Sequence, residues 1–492
     1  MTTRLTARNL EAISALVTRP RYDRSALSAG ILHFGVGNFH RAHQAVYLNS
    51  LFNEGRDHDW AIIGAGVLPS DEKMRRALVD QDYLTTIVEQ SANSSTAQVT
   101  GAMIDFLPPD DPAKILDALV DPAIRIVSLT ITEGGYFIDP ASGVFDTANP
   151  EIATDGAFPE RPKTVFGIIV AGLSRRREAG IEPFTVMSCD NIPHNGVVTR
   201  NAVAGLAGLS NPEFSSWIID QVAFPNSMVD RITPATGDRE RKILARDFGI
   251  EDNWPVFCED FTQWVLEDHF PTGRPELERV KVQFVPDVTP YENMKIRILN
   301  GGHAVIAYPA GLLDIQFAHE AMENPLIRSF LQKVEREEII PVVPPVPHTD
   351  LLNYFNKIEV RFANPKIGDT IRRLCLDGSN RQPKFIIPSI ADRLKAGAGV
   401  KGLALESALW CRYCYGTTES GLVTEPNDSN WDRLVLASRA AKDDPLAWLK
   451  MEDIYGDVGR AEVFREHFAI MLRAIWSHGV EAVMRSYLQE TL

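Results

Sequence analysis

The chain has 492 residues, of which 45% are hydrophobic and 23% charged, and a formal net charge of -15. That length calls for more than one core, and the composition is that of a folded globular protein. The acidic balance weighs against nucleic acid or an anionic membrane as partner. No apolar stretch reaches membrane-spanning length. The five cysteines, few and odd in number, suit a reducing, cytoplasmic setting better than a disulfide framework.

Residues 1–29 are mixed and polar and read as a leader into the first domain. Ile31-Leu32-His33-Phe34 reads as a short buried strand running into Gly35-Val36-Gly37-Asn38-Phe39-His40, with a helical pattern from His40 to Phe52. Trp60 to Val67 is a second buried strand, and Ser70-Asp71 has the character of a cap for a helix ending at Val79. Further strands are expected at Tyr83–Val88, Val99–Phe106, Ile124–Ile131 and Phe184–Ser188, with helices at Pro112–Leu119 and Lys163–Arg177. Strands alternating with helices predict a parallel, doubly wound α/β sheet. Beyond about residue 290 the pattern turns helical, at Tyr291–Leu313, Asn324–Glu335, Asp350–Arg361, Ser389–Ala396, Leu403–Tyr415 and Ala461–Leu488. The chain therefore divides into residues 1–286, a Rossmann-like dinucleotide-binding domain, and residues 287–492, a mainly helical substrate and catalytic domain. Pro341–Pro347 reads as a stiff connection.

Three kinds of motif carry chemistry. Gly35 and Gly37, between a strand and a helix, resemble the turn that lets a pyrophosphate approach the backbone, although His40 stands where a third glycine is usual. An acid after the second strand would bind ribose hydroxyls; Asp71 fills that place and favours NAD, while Lys73 and Arg75 keep NADP open. Thr130–Tyr136, Ser188–Asn191 and Met228–Arg231 are polar strand ends, at the sheet edge where such folds bind ligands. The most informative stretch is Lys295 to His303. Lys295, Asn300 and His303 lie in an apolar run that continues through Ala304 to Ala307. Polar groups are costly there unless something uses them. At ~100° per residue, Asn300 sits ~140° and His303 ~80° round from Lys295, so an α-helix places all three on one side. An amine, an amide and an imidazole so placed can take a proton from a hydroxyl and steady the alkoxide. The competing reading is a surface lysine with two satisfied core polar groups. Tyr291-x-x-x-Lys295 also matches the pair of short-chain dehydrogenases, but without that family's glycine pattern. His40-x-x-His43 lacks a third ligand at a zinc-like spacing, and Cys411-x-x-Cys414 lacks a second pair.

Taken together, Gly35–His43, Thr130–Tyr136, Thr185–Asn191, Met228–Pro234, Lys295–His303 and Cys375–Phe385 resemble the polyol-specific long-chain dehydrogenases/reductases, and within them the mannitol-oxidising branch. The resemblance spans nearly the whole chain. It implies an NAD-dependent, metal-independent enzyme that reversibly oxidises D-mannitol or a related polyol to the ketose. Lys295 would be the general base, Asn300 and His303 would hold the reacting oxygen, and Glu292 would gate proton exit. Asn191, Asp230, Arg373 and Arg381 would contact substrate. Gly35, Gly37, Phe39, Asp71, Thr132, Glu133 and Val229 would contact cofactor. It also implies a monomer, with the second domain completing the site. Three departures stand out: Arg381 where a lysine is usual, Gly302 for a serine, and Ser70 for an acid. A lysine base must be neutral, and at its ordinary pKa of ~10.4 almost none is at pH 7, so burial has to lower it. A hexuronate reductase of the same family is the alternative, since Arg373 and Arg381 suit a carboxylate. A non-catalytic NAD-binding protein is the second alternative, against which the Lys295/Asn300/His303 set argues.

Overall fold

Short apolar runs ending in glycine or polar residues build the sheet that organises the first half of the chain. A computed structural model describes residues 2–139 and 143–491. Strands β1 (Ala29–Phe34), β2 (Ala61–Ala65), β3 (Met103–Phe106), β4 (Ile126–Leu129) and β5 (Thr185–Ser188) form a five-stranded sheet in the order β3-β2-β1-β4-β5. All of its pairings are parallel. Both faces are covered, as the unbroken apolar runs require. Leu32, Phe34, Val127, Leu129 and Val186 pack into one core with Phe166 and Ile169 of the helix Val165–Ala179. Ile31, Ile62, Ile126 and Met187 pack into another with Leu48 and Leu51. Alternate residues of each strand thus serve opposite cores, and the strand order reverses beside β1.

Several expected elements divide. The helix expected from His40 to Phe52 is two pieces, α1 (Asn38–Ala42) and α2 (Gln44–Asn53), parted at His43, whose φ and ψ of -121 and -90 are not helical. The strand expected over Val99–Phe106 breaks at Gly101-Ala102. Its first part belongs to Ser95–Thr100, antiparallel to Thr85–Gln90 in a second sheet, and its second part is β3. The polar first residues are woven in rather than leading in: Thr3–Arg4 pairs with Ile250–Glu251, and Val17–Thr18 with Ala97-Gln98. Strand β6 (Ser227–Asp230) pairs with Gln263–Glu267 in a further small sheet. Helix α3 (Asp71–Val79) forms where expected, but Ser70 makes no capping bond; the Asp71 carboxylate accepts from Val67 and Leu68 N–H instead.

Contacts within the chain separate it into Met1–Thr289 and Pro290–Leu492. The described residues of the second unit are helical, with isolated bridges at Phe317–Thr370 and Thr417–Val423. The long helical stretch expected over Tyr291–Leu313 is present but not uniform. Thr289–Met294 is α-helical, Lys295–Asn300 is π-helical, and α4 (Gly301–Leu312) resumes the α-helix. The expected Ala461–Leu488 helix is likewise split at Gly479, whose φ is +84. Short helices that the periodicity did not suggest include α5 (Ile371–Leu374) and α6 (Gly378–Phe385); the long apolar α7 (Lys401–Tyr413) was expected.

Candidate functional site

In the dinucleotide unit the glycine turn has a built cradle. Gly35 has φ +90, and a Cβ there would lie 2.1 Å from the Thr130 carbonyl oxygen, so only glycine fits between β1 and β4. Gly37 is different. A Cβ there would meet nothing nearer than the Gly35 oxygen at 3.7 Å, so its bareness serves an open surface that a diphosphate can approach. Arg41 is buried and holds the turn from below, donating to the Gly37 carbonyl, Asn38 Oδ1 and the Trp254 carbonyl. Beneath it His33 and His40 stack with ring centroids 3.4 Å apart. His33 contacts Ser128 Oγ through Nδ1 and Thr130 Oγ1 through Nε2. Burial pushes His33 down to about 3 and holds His40 well below its usual range, so both rings are neutral. His40, standing at the third-glycine place, is therefore packing for the turn. Phe39 stacks on His43, and the His43 Nε2 pairs with the Gln263 carbonyl.

The three polar strand ends converge, and the residue that joins them was not singled out from sequence. Asp190, after β5, accepts from Ile131 N–H at 2.9 Å, Thr132 N–H at 2.8 Å and Tyr136 hydroxyl at 2.7 Å. Asn195 donates to the Asp190 carbonyl and to Ser227, and accepts from Ser227 N–H. The loops carrying Thr132 and Glu133, Asn191, and Val229 and Asp230 are thereby one hydrogen-bonded assembly. Thr132 is held at φ +66 and ψ 163, a costly conformation for a β-branched residue and one that clusters at ligand sites. Val229 and Asp230 are buried at the end of β6, while Asn191 and Glu133 are exposed. Asp71 hangs its carboxylate on the loop after β2, where a Cβ on Gly66 would collide with it at 2.3 Å. Of the two nearby cations that would welcome a 2′-phosphate, Arg75 is committed to the Phe106 carbonyl and Glu72, and Lys73 lies over the Trp254 ring. These residues fit a dinucleotide with a free 2′-hydroxyl.

In the helical unit, the π-helical segment changes the expected phase. With hydrogen bonds running to the fifth residue on, Asn300 lies about one turn beyond Lys295 rather than well round the helix. Lys295 and Glu292 are both buried, and Asn300 is half-buried. His303, three residues on in α4, stacks on Phe362 with centroids 4.2 Å apart, and its Nε2 is buried without a partner. Burial, helped by Arg373, Arg361 and Arg381, holds the imidazole well below its usual range, so it is neutral. Those couplings also show that Arg373 and Arg381 gather near His303. Arg373 is paired with Asp369, and Arg381 donates to the Arg373 and Leu374 carbonyls at 3.3 Å. Gly302 faces a carboxyl: a Cβ there would lie 3.0 Å from Glu335 Oε1.

The Tyr291 hydroxyl donates to the Pro347 carbonyl. Among the described residues no group of three or more His, Cys, Asp or Glu is arranged to hold a metal ion. Cys411 and Cys414 are buried thiols pushed well above their usual range by desolvation.

The family models for the mannitol dehydrogenase Rossmann domain and the mannitol dehydrogenase C-terminal domain match residues 29–279 and 287–476. The chain belongs to the mannitol dehydrogenase family. Among its relatives, a mannitol 2-dehydrogenase of Cereibacter sphaeroides is 60% identical over 96% of this chain and 99% of its own length. One from Neosartorya fischeri is 41% identical over 99% of each. The solved Pseudomonas fluorescens mannitol 2-dehydrogenase, a ternary complex with NAD and D-mannitol, superposes with a TM-score of 0.89 at 42% identity, covering 99% of this chain and 100% of that one. A substrate-free D-sorbitol dehydrogenase also gives a TM-score of 0.89, at 36% identity over 98% and 100%. The mannitol dehydrogenase fold thus extends over both units.

Proposed function

We infer that this chain catalyses the NAD-dependent, reversible oxidation of D-mannitol to D-fructose. The observation that carries the reading is the buried Lys295 one π-turn from Asn300, with a neutral His303 beyond, in a chain similar end to end to mannitol 2-dehydrogenases. NAD, when bound, supplies the hydride acceptor. Gly35, Gly37, Phe39, Thr132, Glu133 and Val229 would form its cradle, and Asp71 would accept from its ribose hydroxyls. Neutral Lys295 removes the C2 hydroxyl proton, and Asn300 and His303 donate to the oxygen as charge grows on it. A neutral imidazole suits this task, because it donates without bringing a full charge. Glu292 passes the proton outward. Asn191 and Asp230 are the substrate contacts of the dinucleotide unit, and Arg373 and Arg381 those of the helical unit.

Hexuronate reduction is the weaker reading. Asp369 already takes the Arg373 fork, so of the two arginines Arg381 alone is left to meet a carboxylate. All five cysteines are buried thiols, which suits a cytoplasmic enzyme, and we take the working form to be a monomer, to be checked by sedimentation. NADH absorbance with D-mannitol, D-arabinitol and D-sorbitol, in excess chelator, tests the activity and ranks substrates. Turnover should survive the chelator and rise with pH. Lys295→Ala should lose about 10²–10⁴-fold in turnover while keeping its NAD affinity; unchanged turnover would remove Lys295 from the reaction.

A further inference from the structure

The helical unit contains a buried acid that the reaction does not use. Glu406, midway along α7, is 0% exposed. Its Oε1 accepts a 2.6 Å hydrogen bond from Nε2 of the equally buried Gln382, and its Oε2 has no partner. Gln382 directly follows Arg381 in α6. That helix is short and has Pro383 inside it, so its own backbone cannot fix its place. Its first turn is tied by Asp428, which accepts from Ser379 N–H at 2.8 Å and Ser379 hydroxyl at 2.7 Å. Its middle is tied by Glu406. Its end lies against the catalytic helix, where the Phe385 carbonyl oxygen is 3.3 Å from the place a Cβ on Gly301 would take. Tyr308, on the same helix as His303, also interacts with the Gln382 side chain. A pair of apolar side chains could fill the Glu406 and Gln382 places without stranding a carboxyl oxygen. The polar pair therefore fits a role in geometry rather than in stability.

We propose that the Glu406–Gln382 hydrogen bond sets the position of Arg381 for polyol recognition, which makes Glu406 a positioning residue for substrate affinity. The proposal rests on the reading of Arg381 as a substrate contact. Burial raises Glu406 to about 8. The groups facing it are Gln382 from α6, Tyr308 from α4, Tyr455 from the helix Glu452–Tyr455, and Ser407 of its own helix, and none of these is a cation. Ionisation there has no counter-charge, so Glu406 keeps its proton below that value.

The test is steady-state kinetics of the full chain with D-mannitol, together with NAD affinity by fluorescence titration. Glu406→Leu should raise KM about tenfold, with kcat and NAD affinity within about twofold. Glu406→Gln, which still accepts from Gln382, should rescue most of that loss. In an Arg381→Ala background, Glu406→Leu should add nothing, because residues acting through one contact are not additive. Additive effects, or an unchanged KM in Glu406→Leu with NAD binding intact, overturn the proposal. If Arg381→Ala itself leaves KM unchanged, the substrate role of Arg381 fails, and the proposal with it. If Arg381→Ala raises KM and Glu406→Leu does not, the proposal alone falls. Should Glu406→Leu not fold, Gln382→Leu breaks the same bond and carries the same expectations.

Discussion

The two units treat buried carboxyls in opposite ways. In the dinucleotide unit, Asp190, Asp155 and Asp252 are each fed by two backbone N–H groups from outside the helices and by a side chain. In the helical unit, Glu335 has no partner and Glu406 has one. The difference follows from backbone supply. Loops at strand ends have N–H groups to spare, whereas helices spend theirs on their own carbonyls. Glu338 supports the rule from within the helical unit, since its donors are Gly402 and Leu403, in the otherwise unsatisfied first turn of α7. Asp190, Asp155 and Asp252 therefore act as staples, whereas Glu335 and Glu406, buried in helices away from any cation, are held toward the neutral acid.

The largest expected effect removes a staple. Asp190→Ala removes the shared acceptor of two part-buried N–H groups and of the buried Tyr136 phenol, and should cost about 2–5 kcal/mol by denaturant unfolding. It should also weaken NAD binding, because the Thr132 loop loses its anchor. A loss below about 1 kcal/mol would break the contrast drawn here.

Next come the two glycines of the turn. Gly35→Ala forces both a disfavoured φ and a clash, and should lose about 2–4 kcal/mol. Gly37→Ala should stay within about 1 kcal/mol of the parent in thermal melts yet bind NAD less tightly. Equal stability losses at both positions would mean that Gly37 serves packing instead.

Neutral acids predict a pH signature. Glu335 is raised well above its usual range by burial. Its contribution is whole below the ordinary carboxylate pKa and is lost as pH rises toward the folded value, because the native state holds the extra proton. Glu335→Gln should therefore match the parent in Tm at about pH 5 and exceed it at about pH 9. A Tm difference independent of pH would show that Glu335 does not titrate as an acid held by burial. His33 gives the opposite slope in the other unit. Its folded value of about 3 means stability present above the usual imidazole range and lost as pH falls below it.

The smallest effect concerns capping. Ser70→Ala should change stability by less than about 0.5 kcal/mol, whereas Thr164→Ala should cost about 1 kcal/mol, since only Thr164 accepts from a helical N–H. Comparable losses would restore Ser70 as a cap.

Much of the candidate site was legible because its residues lie in short contiguous runs. Lys295, Asn300 and His303 stand out as polar letters in an apolar stretch, and Gly35 and Gly37 follow a strand. Asp190 was passed over because its importance lies in what it accepts from residues some 60 positions away. Glu406 and Gln382 were missed for the same reason: neither breaks a local pattern, and each is meaningful only beside the other. The division of Val99–Phe106 was hidden because apolar periodicity cannot tell one buried strand from two in different sheets.

The sequence by itself determined the alternation of strands and helices, the glycine turn and the family, since these depend on local propensity and on runs of residues. Only the tertiary structure decided the phase of the candidate site residues. Nothing in Lys295–Asn300 names a π-turn, and the packing of α6 and the facing helices against it is a property of the fold. The same holds for charge. Whether His303 is neutral or Glu406 keeps its proton depends on how much water and how many partners surround them, and only distant parts of the chain supply that environment.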